Sequence, residues 1–267
     1  VSRPGLPPKA AALVRAGHGL VGLGGLLLLL EAVPRLGLVD ERFLPPASRV
    51  LATLAAELGT PELWAALGAT LRGWALGLAI AFAAAVAAGV VIGIVPGLRA
   101  MTNSTVEFLR PIPSVALVPL ATLLFGPSLG STLLLVVYAA FWQVLIQVLY
   151  GVAAVDPVAH DTARAYGLSA WSRVRHLLWP TALPYVMTGL RLAAAVAFIL
   201  AVTAELVIGS PGLGAEIQVA QSSGAVPAVY ALIVLAGLVG IAVNAAVRLL
   251  ERRVLAWHPS VRSEAAA

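Results

Sequence analysis

The chain has 267 residues, of which 60% are hydrophobic and 11% charged; its mean hydropathy of +0.97 excludes an ordinary soluble domain and makes lipid its principal solvent. The net charge of +5 is spread as arginines between apolar runs, which excludes a single basic face for nucleic acid. With no cysteine there is no disulfide framework, thiolate metal site or thiol nucleophile.

A spanning helix takes roughly 20 mostly apolar residues, and six runs come close. The first, 19–38, follows a basic tail at 1–18 and is interrupted at its far end by Glu31, Pro34 and Arg35. Its basic flank has the look of a signal peptide, but no small-x-small cleavage pattern follows, so it is read as a retained anchor. A short interfacial helix is expected over 47–58. The second run, 71–95, is alanine-rich and carries overlapping GxxxG pairs at Gly89, Gly93 and Gly97, which let backbones approach closely. Arg72 at its start is expected to snorkel. The third, 112–125, is short and proline-rich (Pro111, Pro113, Pro119), which predicts a kinked helix inside the bundle, its freed carbonyls satisfied by neighbours. The fourth, fifth and sixth fall at 131–154, 185–208 and 228–249, before a tail at 260–267. No internal repeat is visible.

Between the fourth and fifth runs lies a polar, basic island, 156–184. Asp156 followed by Pro157 is a helix start, since the carboxylate accepts free backbone N–H groups and proline costs nothing at the first helical position. Gly167 closes that helix. Ser169 caps a second, 170–178, which Pro180 and Pro184 are expected to stop. Arg164, Arg173 and Arg175 stand among Ala163, Tyr166, Leu168, Trp171 and Leu177, a surface suited to docking; an amphipathic loop on lipid headgroups is the other reading.

Lysine and arginine counts set the orientation. A cytoplasmic N-terminus puts Arg3, Lys9, Arg15, Arg99, Arg110, Arg164, Arg173, Arg175, Arg248, Arg252, Arg253 and Arg262 inside and Arg35, Arg42 and Arg49 outside. Both termini and the island are then cytoplasmic.

Polar groups at membrane depth are candidates for a translocation path. Gln143 and Gln147 lie four apart on one face of the fourth span, and Glu205 lies in the fifth. A charge near a bilayer centre costs about 2.5–3.5 kcal/mol on insertion scales, so Glu205 should face protein or water. Interhelical hydrogen bonding by the glutamines, and a Glu205 near the outer interface or paired with Arg191, are the structural alternatives. The four histidines show no metal-ligand spacing, and no metal site is expected. A P-loop needs a lysine, and the one lysine is Lys9 in a proline-flanked tail, so the chain holds no ATP site and no cofactor of its own. No hydrolase motif is present, and an ion-coupled carrier would be expected to hold more ionisable or broken-helix features near mid-membrane. Catalytic residues are not expected.

The island resembles the cytoplasmic loop of ABC importer permeases, Glu-Ala-Ala, three residues, Gly, nine residues, Ile, one residue, Leu-Pro. Asp161, Thr162 and Ala163 stand at the first three positions, Gly167 at the glycine, Leu177 at the isoleucine, and Trp179 with Pro180 at the end. Spacing matches throughout, while Asp161, Thr162, Leu177 and Trp179 depart from the family letters. LRPIPSVALVPLATLLFG at 109–126, TGLRLAAA at 188–195, TAELVIGSPGLGAEI at 203–217 and RLLERRVLAWHP at 248–259 resemble the nitrate, sulfonate and taurine group of these permeases.

That resemblance implies an all-α, polytopic type I importer permease over 19–259, in a bacterial inner membrane. It implies two ATPase subunits that carry ATP and Mg, a second permease copy, and an extracytoplasmic substrate-binding protein. It implies that Asp161, Thr162, Ala163, Arg164, Gly167, Arg173 and Pro180 couple to the ATPase, and that the solute is a sulfonate, taurine, nitrate or similar. An ion-coupled carrier is the alternative, and a membrane scaffold or sensor a third.

Overall fold

The computed structural model describes residues 8–258; residues 1–7 of the expected N-terminal tail, residue 259 and the expected C-terminal tail 260–267 lie outside the described residues. Among the described residues every regular element is helical: α1 Pro8–Arg35, α2 Ala47–Glu57, α3 Pro61–Ile94, α4 Pro96–Leu109, α5 Val118–Phe125, α6 Leu129–Ala153, α7 Pro157–Ala165, α8 Ala170–Arg173, α9 Trp179–Ile208, α10 Leu213–Ser222 and α11 Val226–Val254. Among the described residues four helices are long and apolar enough to cross a membrane, five if one bent pair is counted as a span. Six spans were expected; the first falls in α1, which is not among the four.

The core is a three-helix packing of α3, α6 and α9 built on small residues. Gly73, Gly77, Ala81, Ala85, Gly89 and Gly93 recur every fourth residue along α3, a ridge of the kind that interlocks with a second helix. A Cβ at Gly77 would stand 2.5 Å from Val136 Cγ1, at Gly89 2.6 Å from Val148 Cγ1 and at Gly93 2.8 Å from Val152 Cγ1. Gly89 and Gly93 therefore do the packing expected of them. Gly97 meets nothing within 4 Å, because α3 ends at Ile94 and the chain breaks at Pro96.

A second apolar cluster caps one end of the bundle, joining Val50 and Leu54 of α2, Leu63 and Ala66 of α3, Leu213 and Ile217 of α10, and Leu232 and Leu235 of α11. The interfacial helix expected at 47–58 is α2. Its start is held by the charges that interrupt the first run: Ser48 N–H and Oγ donate to Glu31 Oε2 and Oε1 at 2.8 and 2.9 Å, and Arg35 pairs with Glu31 one turn on. A carboxylate on free N–H groups at a helix start is favourable.

The third run differs from the expected kinked helix. The chain bends by 82° between α4 and the segment from Ser114 to Phe125, which is a 3₁₀ turn followed by the eight-residue α5. Three prolines in nine residues remove donors and clash with preceding carbonyls, so the helix breaks instead of kinking. Ala121 is the buried residue of α5, whereas Leu123 is 83% exposed, so within one chain this segment lies on the bundle's flank.

Candidate functional site

At one end of the bundle the island folds largely as its local chemistry dictates. Asp156 Oδ1 accepts Val158 N–H at 2.9 Å, with Pro157 first in α7. At the other end of α7, Gly167 takes φ +72°, and Gly167 and Leu168 donate backbone N–H groups to Arg164 and Ala163 carbonyls at 2.9 and 3.0 Å. This paired closure needs the left-handed conformation that glycine alone adopts cheaply. Ser169 Oγ then accepts Ser172 N–H at 3.2 Å and starts α8.

The prolines do not stop the second helix. Val174–Leu178 is a π turn in which Trp179 N–H reaches back to Val174, and the helix runs unbroken from Ala170 to Ile208, 39 residues. A proline clashes with the carbonyl four residues earlier; the wider turn relieves that clash ahead of Pro180. Thr181 and Thr188 hydroxyls donate to Leu177 and Pro184 carbonyls at 2.8 and 3.0 Å.

The structure brings Asp161 and Arg173 together: both line a cavity of about 320 Å³ with Gly93, Ile94, Val152 and Leu177, so α7 and α8 sit over the ends of α3 and α6. Asp161 is exposed, 3.6 Å from the His160 ring. Thr162, Arg164 and Gly167 are exposed, and Ala163, Arg173 and Pro180 half-buried. Tyr166 is 82% and Trp171 73% exposed, with Val158 beside them in exposure. Large apolar side chains held outward on a basic, doubly capped elbow are the anchors that protein interfaces use.

At the opposite end of α9 a hairpin, 209–212, leads into α10. Glu205 is 1% exposed. Its Oε2 accepts the Thr70 hydroxyl at 2.8 Å and Gly214 N–H at 3.1 Å, while Thr70 Oγ1 accepts Leu213 N–H at 2.8 Å. Thr132 and Ser210 hydroxyls bond at 2.9 Å, tying the hairpin to α6 as well as α3. A Cβ at Gly212 would strike the Glu205 carboxylate, and one at Gly214 the Val202 carbonyl. Glu205 therefore faces protein, as its burial cost requires. It does not pair with Arg191, which instead meets Glu251 of α11 at 3.5 Å; Arg191 lies near the middle of α9 and Glu205 in its last turn.

Gln143 and Gln147 are half-buried on α6. Gln147 stands against α9, where a Cβ at Gly189 would come 3.0 Å from Gln147 Cβ. The neighbouring Trp142 has a buried indole N–H with no partner among the described residues; its ring packs edge-on to Phe141 and Tyr138. Sequence reasoning missed Thr70, Thr132 and Ser210, whose role depends on residues as many as 143 positions away. It also missed Gly73 and Gly77, for which the continued four-residue spacing was the available signal.

Residues 85–256 match the family model "Binding-protein-dependent transport system inner membrane component". The chain is 32% identical over 250 residues to the taurine transport system permease protein TauC of Escherichia coli, covering 91% of each chain. It is 31% identical over 264 residues to the putative aliphatic sulfonates transport permease protein SsuC of Bacillus subtilis, covering 96% of each. To the nitrate import permease protein NrtB of Leptolyngbya laminosa it is 30% identical over 149 residues, 56% of this chain and 53% of that one. In fold it resembles a chain of the MetNI methionine ABC transporter in an inward facing conformation, with a TM-score of 0.63 and 18% identity over 73% of this chain and 99% of that one. A spanning core with a capped elbow at one end, a matching family model and full-length relatives agree: this chain belongs to the binding-protein-dependent inner membrane components, the permeases of ABC importers.

Proposed function

We propose that this permease works as one half of a type I importer. Two copies of the chain span the membrane through residues 19–259, two ATPase subunits bind the island from the cytoplasm, and an extracytoplasmic binding protein delivers the solute at the hairpin end. Both termini are cytoplasmic, and ATP and Mg reside on the ATPase. The family assignment sets aside the ion-coupled carrier. The solute class follows the relatives: a sulfonate, taurine, nitrate or a similar small oxyanion.

The observation that carries this reading is the elbow itself. Gly167 fixes the angle between α7 and α8, and α8 continues without a break into a helix that crosses the bundle. Movement imposed on Asp161, Thr162, Ala163, Arg164 and Arg173 by closing ATPases is passed through the Pro180 region into α9 as a rigid-body shift. Gln147 of α6, which stands against α9, Gln143 one turn before it, and Glu205 beside the hairpin are the path candidates among the polar groups of the spans.

The test is Gly167→Val or Gly167→Pro in vesicles holding the assembled transporter. The expected outcome is loss of ATP-driven uptake and of solute-stimulated ATPase activity, with the permease still present in the membrane at normal level. Unchanged uptake and stimulation would overturn the coupling role.

A further inference from the structure

A cavity of about 210 Å³ opens where α3, the first turn of α6 and the hairpin meet, lined by Ala69, Arg72, Leu129, Thr132, Glu205 and Pro211. A basic and an acidic side chain, Arg72 and Glu205, face this small space without touching. Arg72 has no ion-pair or hydrogen-bond partner among the described residues. Both donors that reach Glu205 land on Oε2, so Oε1 of this buried carboxyl group receives none among the described residues.

An ionised carboxylate oxygen without a donor is costly when removed from water, and an unpaired guanidinium offers a planar fork suited to an oxyanion. A bare cation in the cavity would be repelled by Arg72, and a bare anion by Glu205. A short solute with an ammonium at one end and an acidic oxyanion at the other answers both. The positive end of α6, which begins at Leu129, adds attraction for the oxyanion. The volume lies below the ~300–1,000 Å³ of sites for drug-sized ligands, which restricts the occupant to a small molecule.

We propose that this cavity is a subsite for a short zwitterion of the amino-sulfonate kind, its ammonium donating to Glu205 Oε1 and its sulfonate accepting from Arg72. It rests on the importer reading and sharpens it, separating amino-sulfonates from plain alkanesulfonates and nitrate. In the proposed orientation the subsite is the first part of the permease that a solute meets on leaving the binding protein.

The experiment is equilibrium binding of radiolabelled taurine to the purified permease–ATPase complex in nanodiscs, without binding protein, with ethanesulfonate and nitrate as competitors. Unlabelled taurine should displace the label about tenfold or more better than either competitor, since each lost charge-assisted contact is worth about that factor. Arg72→Gln should weaken taurine binding by about tenfold or more. Glu205→Gln keeps an acceptor for Thr70 and Gly214 while presenting an N–H₂ to the cavity, so it should shift preference from taurine toward ethanesulfonate. Arg72 is exposed, so its variant reads the subsite even if Glu205→Gln fails to fold.

No saturable taurine binding, equal displacement by ethanesulfonate, or wild-type affinity in Arg72→Gln would each overturn the subsite. ATP-driven uptake in vesicles with the binding protein tests the importer reading separately. A complex that transports but shows any of those three results sinks the subsite alone, and one that drives no uptake of any of the three solutes sinks the importer reading.

Discussion

The two ends of α9 are held in opposite ways. At the hairpin end, hydrogen bonds run between elements distant in sequence: Glu205 to Thr70, Leu213 to Thr70, Thr132 to Ser210. Gly212 and Gly214 there leave no space for a side chain. At the island end, the bonds that shape the fold are local, Val158 to Asp156, Leu168 to Ala163 and Ser172 to Ser169, and Tyr166 and Trp171 stand exposed. One end is fastened to its own bundle, while the other keeps its shape without help and leaves its side chains free for a partner. Substitutions should therefore act on stability at the hairpin and on coupling at the island.

The largest stability effect is expected for Gly214→Ala. The added methyl meets backbone of α9, including the Leu206 nitrogen at 2.5 Å, which has little freedom to retreat. A loss of about 3 kcal/mol or more, the upper end for overpacking, should appear as a sharply lowered thermal midpoint of the detergent-solubilised protein. Thr70→Val comes next. It keeps the shape but leaves Leu213 N–H without an acceptor and Glu205 with one donor fewer, costing about 1–3 kcal/mol by the same measurement. At the island, Asp156→Ala removes a cap worth about 1 kcal/mol; increased amide exchange confined to α7 would distinguish this from a global loss. Trp171→Ala should leave the thermal midpoint within about 0.5 kcal/mol of wild type, as exposed substitutions do, yet reduce solute-stimulated ATPase activity of the assembled transporter. A large drop in midpoint with coupling intact would erase the contrast between the two ends.

What could be read in advance divides along the same line. Asp156, Gly167 and Ser169 were legible because capping is settled within a few residues of chain. The small-residue face of α3 was legible in part, since GxxxG spacing identifies close approach but not the partner helix. The failure at Pro180 has a physical cause: a π turn removes the clash that makes proline a stop signal, and its formation depends on a helix already packed beyond it. The helix α4 is not legible in advance because PGLRAMTNSTVEFL is too polar for a spanning segment and lies beside one. Burial of Glu205 was legible from its cost, whereas its partners, supplied by α3 and the start of α10, were not.

The π turn carries one more consequence. Because the helix continues from Ala170 to Ile208 through Pro180 and Pro184, a single helix of about 58 Å, at 1.5 Å per residue, joins the exposed elbow to the fastened hairpin. Force applied by a partner at its exposed tip would have a continuous helical route to the cavity beside Glu205 and Arg72. Nucleotide turnover and the grip on a solute would then share one piece of backbone.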